Sequence, residues 1–403
     1  MSWEEVQIGD NCQVLSAKRI FAKDYVASGI PFYRSKEIIY KAFNQFEKDE
    51  VFIKEERFNE IKNKFGAPER GDVLISSVGN RSGISYWVKE EYDFYFKDGN
   101  LIWFRNFNDK MSSRYLVYFL NSELGQAKIN NMFIGAAQKA LTIVGVKSIK
   151  LSLPPTQTQK RIANILSAYD DLIENNLKRI KLLEKAAQNI YKEWFVNLRF
   201  PGHENTPINQ ETGLPEGWKE VLAKEYFDFK RGIEVGSKNY VSEESENTIP
   251  FLRVGSLGSR DKDVFTDISL VKDRILNFED VCVSMDGSIG LVGYGLIGAY
   301  STGLRKIVAK SNKYGTGFIY GLLKSDEIQD TIRAYAKGST ILHASSSIEH
   351  LKFNDANEEI SNQFNKVIDP IYSKLLNLNK QNQKLKAARD ILLPRLMNRT
   401  IEV

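Results

Sequence analysis

Cysteine is nearly absent: Cys12 and Cys282 are the only two in 403 residues. They are too few and too far apart for a disulfide framework or a zinc site, and they point to a reducing compartment. No apolar stretch approaches the length of a membrane span. The opening Met1-Ser2-Trp3-Glu4-Glu5 lacks the basic and apolar blocks of a signal peptide. These absences predict a cytoplasmic protein without a membrane partner. Charge of one sign is scarce as well, with a formal net charge of only +5. The motifs of catalysis are also missing. There is no P-loop, no Asn-Pro-Pro-Tyr/Phe or Asp-Pro-Pro-Tyr type motif, and no persuasive Ser/His/Asp or paired-carboxylate set, so the chain is expected to catalyse nothing alone. His343 and His350 lie seven apart with no further Cys or His nearby, which excludes a metal role. Gly293-Tyr294-Gly295-Leu296-Ile297-Gly298 matches a dinucleotide-binding spacing, but Ala299-Tyr300-Ser301-Thr302-Gly303 is a poor helix start. The next acidic residue is Asp326, so the segment is read as a glycine-rich strand and turn.

What is present is an internal repeat. At a shift of 202, Asn175 meets Asn377, Lys178 meets Lys380, Leu183 meets Leu385 and Ala186 meets Ala388. Upstream, Tyr118, Leu120, Ile149 and Lys150 meet Tyr320, Leu322, Leu351 and Lys352. With small insertions, Trp3-Glu4-Glu5-Val6 echoes Trp218-Lys219-Glu220-Val221, and Ile30-Pro31-Phe32-Tyr33-Arg34 echoes Ile249-Pro250-Phe251-Leu252-Arg253. The order is globule, long helix, globule, long helix. Such a chain suits a partner that itself presents two sites at a fixed distance.

The helices carry apolar residues at steps of three or four. The first run is Ile162, Leu166, Tyr169, Ile173, Leu177, Ile180, Leu183, Ala187, Ile190 and Trp194. The second is Phe364, Val367, Ile371, Leu375, Leu378, Asn382, Leu385, Ala388 and Leu392. That spacing is close to a 3.5-residue repeat and predicts an antiparallel coiled-coil pair about 50 Å long at ~1.5 Å per residue. The alternative, each helix packing on its own globule, stays open. Polar Asn382 replaces the Ile180 of the first run; a buried Asn costs stability and fixes register. Pro154-Pro155 end the first globule, and Thr156 with Gln159 reads as an N-cap. Pro370, where the first run has Ala168, is expected to break or kink the second helix, and Pro394 to end or bend its last turn. Pro201 to Gly217, with three prolines and three glycines, is a linker.

The residue patterns divide the chain into 1–155 (first globule), 156–199 (first spacer helix), 200–217 (linker), 218–355 (second globule) and 356–403 (second spacer helix). The class is α+β, with two similar mixed globules separated by the paired helices. The helical segments hold +6 of the charge and the remainder −1. The globules' basic residues are therefore either clustered on one face or supplemented by a partner's. Gly71–Ser76 and Glu279–Ser284 read as strands leading into the loops Ser77–Gly83 and Asp286–Gly290. Amphipathic helices are expected at Ser113–Ile129 and Gly317–Tyr335, each followed by a Gly-led segment, 135–141 and 338–343.

The order of parts resembles the DNA-specificity subunit of type I restriction-modification systems. The resemblance rests on Leu153-Pro154-Pro155-Thr156-Gln157-Thr158-Gln159-Lys160-Arg161-Ile162 and Tyr191-Lys192-Glu193-Trp194-Phe195-Val196. It rests too on Leu214-Pro215-Glu216-Gly217-Trp218 and on Ile391-Leu392-Leu393-Pro394-Arg395-Leu396-Met397. It spans essentially the whole chain, and is strongest in the helices. It departs from the family at Asn357–Phe364, where the Pro-Pro and Gln-x-x-Ile pattern has decayed.

The resemblance implies two target-recognition domains, each reading half of a bipartite sequence in double-stranded DNA. It implies that the helices bind two methyltransferase subunits and act as a ruler. S-adenosylmethionine, ATP and Mg are then expected in partner subunits, including the restriction-motor subunits, and no cofactor in this chain. Readers about one helical turn apart (~34 Å, roughly 10 bp) would select spacing as well as sequence. Arg, Lys, Asn, Gln, Ser and Thr are the residue types that read base edges. The candidates are Arg34, Asn80, Arg81, Ser82, Gln138 and Lys139 in the first globule. In the second they are Arg253, Ser288, Arg305, Lys337, Ser339, Thr340 and His343. The helix seam that would serve partner binding is Ile173, Leu177, Ile180, Leu183, Leu375, Leu378, Asn382 and Leu385. Against this stand a coiled-coil interaction scaffold without sequence-specific DNA binding, and a self-contained nuclease or methyltransferase.

Overall fold

The computed structural model describes residues 3–44, 50–79, 81–134, 140–259 and 264–403. Two compact units emerge: residues 1–175 with 384–403, and residues 176–383. Each unit holds one globule, one end of the first long helix and the opposite end of the second.

In the first unit, strand Glu4–Gln7 pairs antiparallel with Lys150–Leu153, tying the globule's beginning to its end. Between them lie two four-stranded sheets. One runs in the order Gln13–Leu15, Leu101–Arg105, Val73–Ser76, Ser85–Trp87, antiparallel throughout. The other runs Tyr25–Val26, Phe52–Ile53, Ile30–Tyr33, Tyr95–Phe96, its last pair parallel. Val73, Leu74, Ile75 and Phe104 are fully buried. Sheet strands covered on both faces read as continuous apolar runs in this way.

The second unit repeats the plan. Lys219–Leu222 pairs with Lys352–Asp355. The antiparallel sheet is Phe227–Arg231, Leu304–Ala309, Val281–Ser284, Val292–Gly293, and the mixed sheet is Phe265–Asp267, Thr248–Leu252, Gly298–Tyr300, Ile275–Leu276. The parallel pair recurs between Thr248–Leu252 and Gly298–Tyr300. The two mixed sheets differ at their edges. Tyr25–Val26 flanks one end in the first unit, whereas Ile275–Leu276 flanks the other end in the second. The glycine-rich run 293–298 leaves one strand and enters another, as its sequence predicts.

The helices expected at 113–129 and 317–335 are each two: Ser113–Asn121 with Glu123–Asn130, and Thr316–Lys324 with Asp326–Ala334. Ser122 and Ser325 mark the breaks. Each hydroxyl accepts the N–H three residues on, from Gly125 and Ile328, so each starts a new helix where the previous one ends.

The long helices run Thr156–Tyr191 and Glu358–Met397. Neither Pro370 nor Pro394 interrupts the second. Pro370 is exposed, so the carbonyl it leaves unpaired one turn earlier faces solvent, while buried Ile368 and Tyr372 hold the helix to its unit. The N-cap reading of Thr156 also fails. Its hydroxyl donates to Asp109 O at 2.9 Å. Buried Gln159 accepts from Ser112 N–H and donates to the carbonyls of Lys110 and Pro154, stitching the helix start to the loop before Ser113. Among the described residues no helix is long and apolar enough to cross a membrane.

The helices pair antiparallel. In the first unit Arg389 Nη1 lies 2.5 Å from Asp170 Oδ1; in the second Asn176 Nδ2 donates to Asn382 Oδ1 at 3.0 Å. Ile173, Ile180, Leu375, Leu378 and Asn382 are buried, with Leu177, Leu183 and Leu385 half-buried. The predicted seam therefore holds the pair together and is not presented to a partner. Beyond Tyr191 the first helix widens into a π turn, Lys192–Val196. There Phe195 packs edge-on against Phe318 and Phe364, with centroids 5.0 and 4.8 Å away. Its repeat equivalent, Met397, is buried with Leu396 in the first unit's core.

Candidate nucleic-acid interface

In each globule the antiparallel sheet ends in a hairpin loop held by the same side chains. Ser76 Oγ donates to Arg81 O at 2.8 Å and accepts from Ile84 N–H at 3.1 Å. Ser284 Oγ donates to Ser288 O at 2.6 Å and accepts from Leu291 N–H at 2.8 Å. From the helices behind, Gln126 Nε2 reaches Gly83 O and Leu120 O, and Gln329 Nε2 reaches Gly290 O and Leu323 O. Backbone carbonyls that a tight loop would leave unpaired are thus satisfied, and the loop is fixed.

A second segment packs beside each loop. In the second globule Lys337 and His343 exchange both backbone hydrogen bonds, at 2.9 and 2.8 Å, closing a hairpin. Gly338, at φ +115°, allows the turn, since a Cβ there would collide with the Ile341 carbonyl. Gly287 N–H donates to Leu342 O, and Ala344 N–H to Met285 O, both at 2.8 Å, sewing hairpin to loop. In the first globule Ile134 and Ala140 exchange the same pair of bonds at 3.1 Å, and Leu141 N–H donates to Ser77 O at 2.9 Å.

The predicted reading residues are distributed unevenly over this frame. Ser288, Lys337, Ser339, Thr340 and His343 are brought together, exposed, on the second globule's loop and hairpin. In the first globule Arg81 is exposed on the equivalent loop, 5.9 Å from the Phe43 ring, and Ser82 is half-buried beside it. Asn80, Gln138 and Lys139 lie outside the described residues. Arg34 and Arg253 stand at the starts of equivalent short helices. The Arg34 guanidinium is bound to Glu37, which also accepts the Arg34 N–H at 2.7 Å. Burial pushes the Glu37 carboxyl up, but the bonds from Arg34 outweigh it and hold the group below its ordinary value. At Arg253 the corresponding cap is neutral, Ser256 Oγ accepting the N–H at 3.1 Å.

Arg305 is a different case. It is 5% exposed, and its guanidinium donates to the carbonyls of Thr302 and Leu304 and to Ser345 Oγ. Those bonds brace the strand, and the group is not presented at the surface.

Sequence reasoning missed Asp286, whose Oδ1 lies 2.7 Å from His343 Nδ1. It also missed the two glutamine clamps. Only a register placing Ser76 on Ser284 and Gln126 on Gln329 would have exposed them. Both cysteines are buried, and burial pushes each thiol up to about 12. Among the described residues no group of three or more His, Cys, Asp or Glu could hold a metal ion.

The two units thus repeat one plan, a loop-and-hairpin frame on an α+β globule packed against its ends of the two long helices. Residues 1–185 match the type I restriction modification DNA specificity domain. The MjaIX specificity subunit of a type I restriction enzyme from Methanocaldococcus jannaschii is 24% identical, covering 98% of this chain and 92% of that protein. The MjaVIII specificity subunit from the same organism is 28% identical over 72% of this chain and 63% of its own length. The crystal structure of a type I restriction-modification S subunit from M. genitalium superposes with a TM-score of 0.60 at 16% identity, covering 98% of this chain and 96% of that one, a likeness of fold. Similarity to specificity subunits thus runs along nearly the whole chain, while the domain match itself covers residues 1–185.

Proposed function

We propose that this chain is the non-catalytic, DNA-reading subunit of a type I restriction-modification complex. Each globule, residues 1–155 and 218–355, reads one half of a bipartite target, and the long helices set the spacing between halves. The observation that carries this reading is the duplicated loop-and-hairpin frame, whose described bridges recur in both globules while the side chains at them differ. A protein that must recognise two unlike half-sites needs that combination.

Two methyltransferase subunits dock on the helices, using faces turned away from the seam. Leu172, Leu182 and Ile391 are exposed apolar residues there, 48, 68 and 55% accessible. Restriction-motor subunits complete the assembly, and S-adenosylmethionine, ATP and Mg belong to the partners. A charged residue at Leu183 or Leu385 should collapse the ruler and with it the assembled complex; an intact, active complex would contradict this.

The deciding experiment is a genome-wide map of methylated adenine with and without the gene. Loss of one asymmetric, two-part motif supports the reading. Exchanging residues 218–350 for those of another family member should then alter one half-site only, and a change in both would overturn modular reading.

A further inference from the structure

The two globules build the same corner and fill it with opposite chemistry. In the first, Val78 bridges Ala140, which bridges Ile134. In the second, Asp286 bridges His343, which bridges Lys337. Position for position, three apolar residues face three ionisable ones. Ile134 is 58% exposed, so the apolar corner reaches the surface. The His343 side chain is 63% exposed and the Asp286 side chain 23%, so the imidazole stands outside a half-sheltered carboxylate.

The hydrogen bond between them fixes which ring nitrogen faces out and what it can do. A carboxylate only accepts, so Nδ1 carries the proton it shares with Asp286. In the neutral ring Nε2, on the far side, presents a lone pair. The backbone around it is tied by the Lys337–His343, Gly287–Leu342 and Ala344–Met285 hydrogen bonds, so the acceptor is held by the frame. Lys337 is the directly opposed cross-strand neighbour, which puts its ammonium on the same face of the hairpin. In the major groove the only base-edge groups that donate to an acceptor are the amino groups of adenine N6 and cytosine N4.

We propose that His343 is a specificity-determining residue whose Nε2 accepts from the exocyclic amino group of an adenine or cytosine in the half-site read by the second globule. Asp286 is the positioning residue that holds the ring in this tautomer. The proposal rests on the DNA-reading function above. Ala140, at the equivalent place, has no acceptor, and the first globule must make its distinction differently.

The test uses the full chain assembled with its methyltransferase partner, on duplexes carrying the motif that the methylation map defines. Competition binding at fixed salt is measured against every single base-pair substitution. His343→Ala should weaken the cognate duplex about tenfold and abolish discrimination at one position of one half-site, leaving the other positions unchanged. Asp286→Ala should relax the same position by a smaller factor.

Removing the amino group from that base, with purine replacing adenine or 2-pyrimidinone replacing cytosine, should weaken wild type as much as the mutation does. It should cost His343→Ala nothing further, and the analogue that acts identifies the base. Unchanged discrimination in His343→Ala, uniform weakening without a relaxed position, or additive losses from mutation and analogue would each overturn the assignment. A wild-type complex with no two-part preference would instead remove the DNA-reading function on which the assignment stands.

Discussion

Ser76 and Ser284 brace equivalent loops with the same pair of bonds, and Gln126 and Gln329 clamp those loops from equivalent helices. Elsewhere the equivalence ends. Buried Asp72 accepts from the Trp103 indole at 2.7 Å, while its counterpart Asp280 is paired with the Lys306 ammonium at 2.5 Å. Val78 and Ala140 stand where Asp286 and His343 stand. The braces serve backbone groups, which every loop of that shape must satisfy whatever it reads. The side chains beyond them serve no such obligation. The two globules therefore share the bonds that hold the loops and differ in the groups that the loops display.

The comparison is broken most severely at the helix ends, where the two cores use different materials. Phe195 lies among the rings of Phe318, Phe364, Tyr191 and Trp218, whereas its counterpart Met397 places a flexible thioether in the first unit's core. Phe195→Ala should cost about 3–5 kcal/mol, and Met397→Ala about 2–4 kcal/mol because the smaller side chain leaves the smaller void. Urea denaturation of the full chain, followed by tryptophan fluorescence, measures both. Equal losses would mean that the ring at Phe195 adds nothing over the thioether at Met397.

Much of this frame was legible in the sequence because duplication doubles every signal. The two long helices and the doubled α+β globules follow from periodicity and from the repeat, whereas the π turn after Tyr191 does not. The misread side chains share a cause, since only the fold shows what each one bonds. Thr156 and Gln159 have the spacing of a cap, but their partners, Asp109, Lys110 and Ser112, lie nearly fifty residues away. Arg305 is an arginine near a loop, but only the fold shows the carbonyls that occupy it. Asp286 gains meaning only once the hairpin brings His343 against it, 57 residues later.

The seam sharpens the comparison next. Asn176 donates to Asn382, leaving Asn382 Nδ2 buried without an acceptor. In the repeat these positions correspond to Leu378 and Ile180, both buried and apolar. Replacing the pair by their counterparts, Asn176→Leu with Asn382→Ile, should raise stability by about 2 kcal/mol by removing an unsatisfied donor. It should also loosen register, because an apolar seam accepts neighbouring alignments that a polar pair forbids. Denaturation measures the first effect, and cross-linking of cysteines placed on facing helix positions measures the second. A double variant less stable than wild type would show that the asparagine pair is itself a net stabilising contact.

The smallest effect separates the two aspartates. Asp280→Asn removes the charge from an ion pair whose side chains are 18 and 21% exposed, and should cost about 1–2 kcal/mol. Asp72→Asn keeps an oxygen able to accept from Trp103 Nε1 and Glu69 N–H, and should change stability by less than about 1 kcal/mol. Burial pushes the Asp72 carboxyl above its ordinary value despite those bonds. A carboxyl raised in the folded state binds its proton more tightly there than in the unfolded chain. Its ionisation therefore subtracts stability as pH rises from the ordinary carboxyl range through the folded value, and the cost stays constant above that. Asp72→Asn should remove this acid-side slope and no other. If the variant keeps the wild-type pH profile between about pH 3 and 6, the buried carboxyl of the first globule is not the group that titrates there.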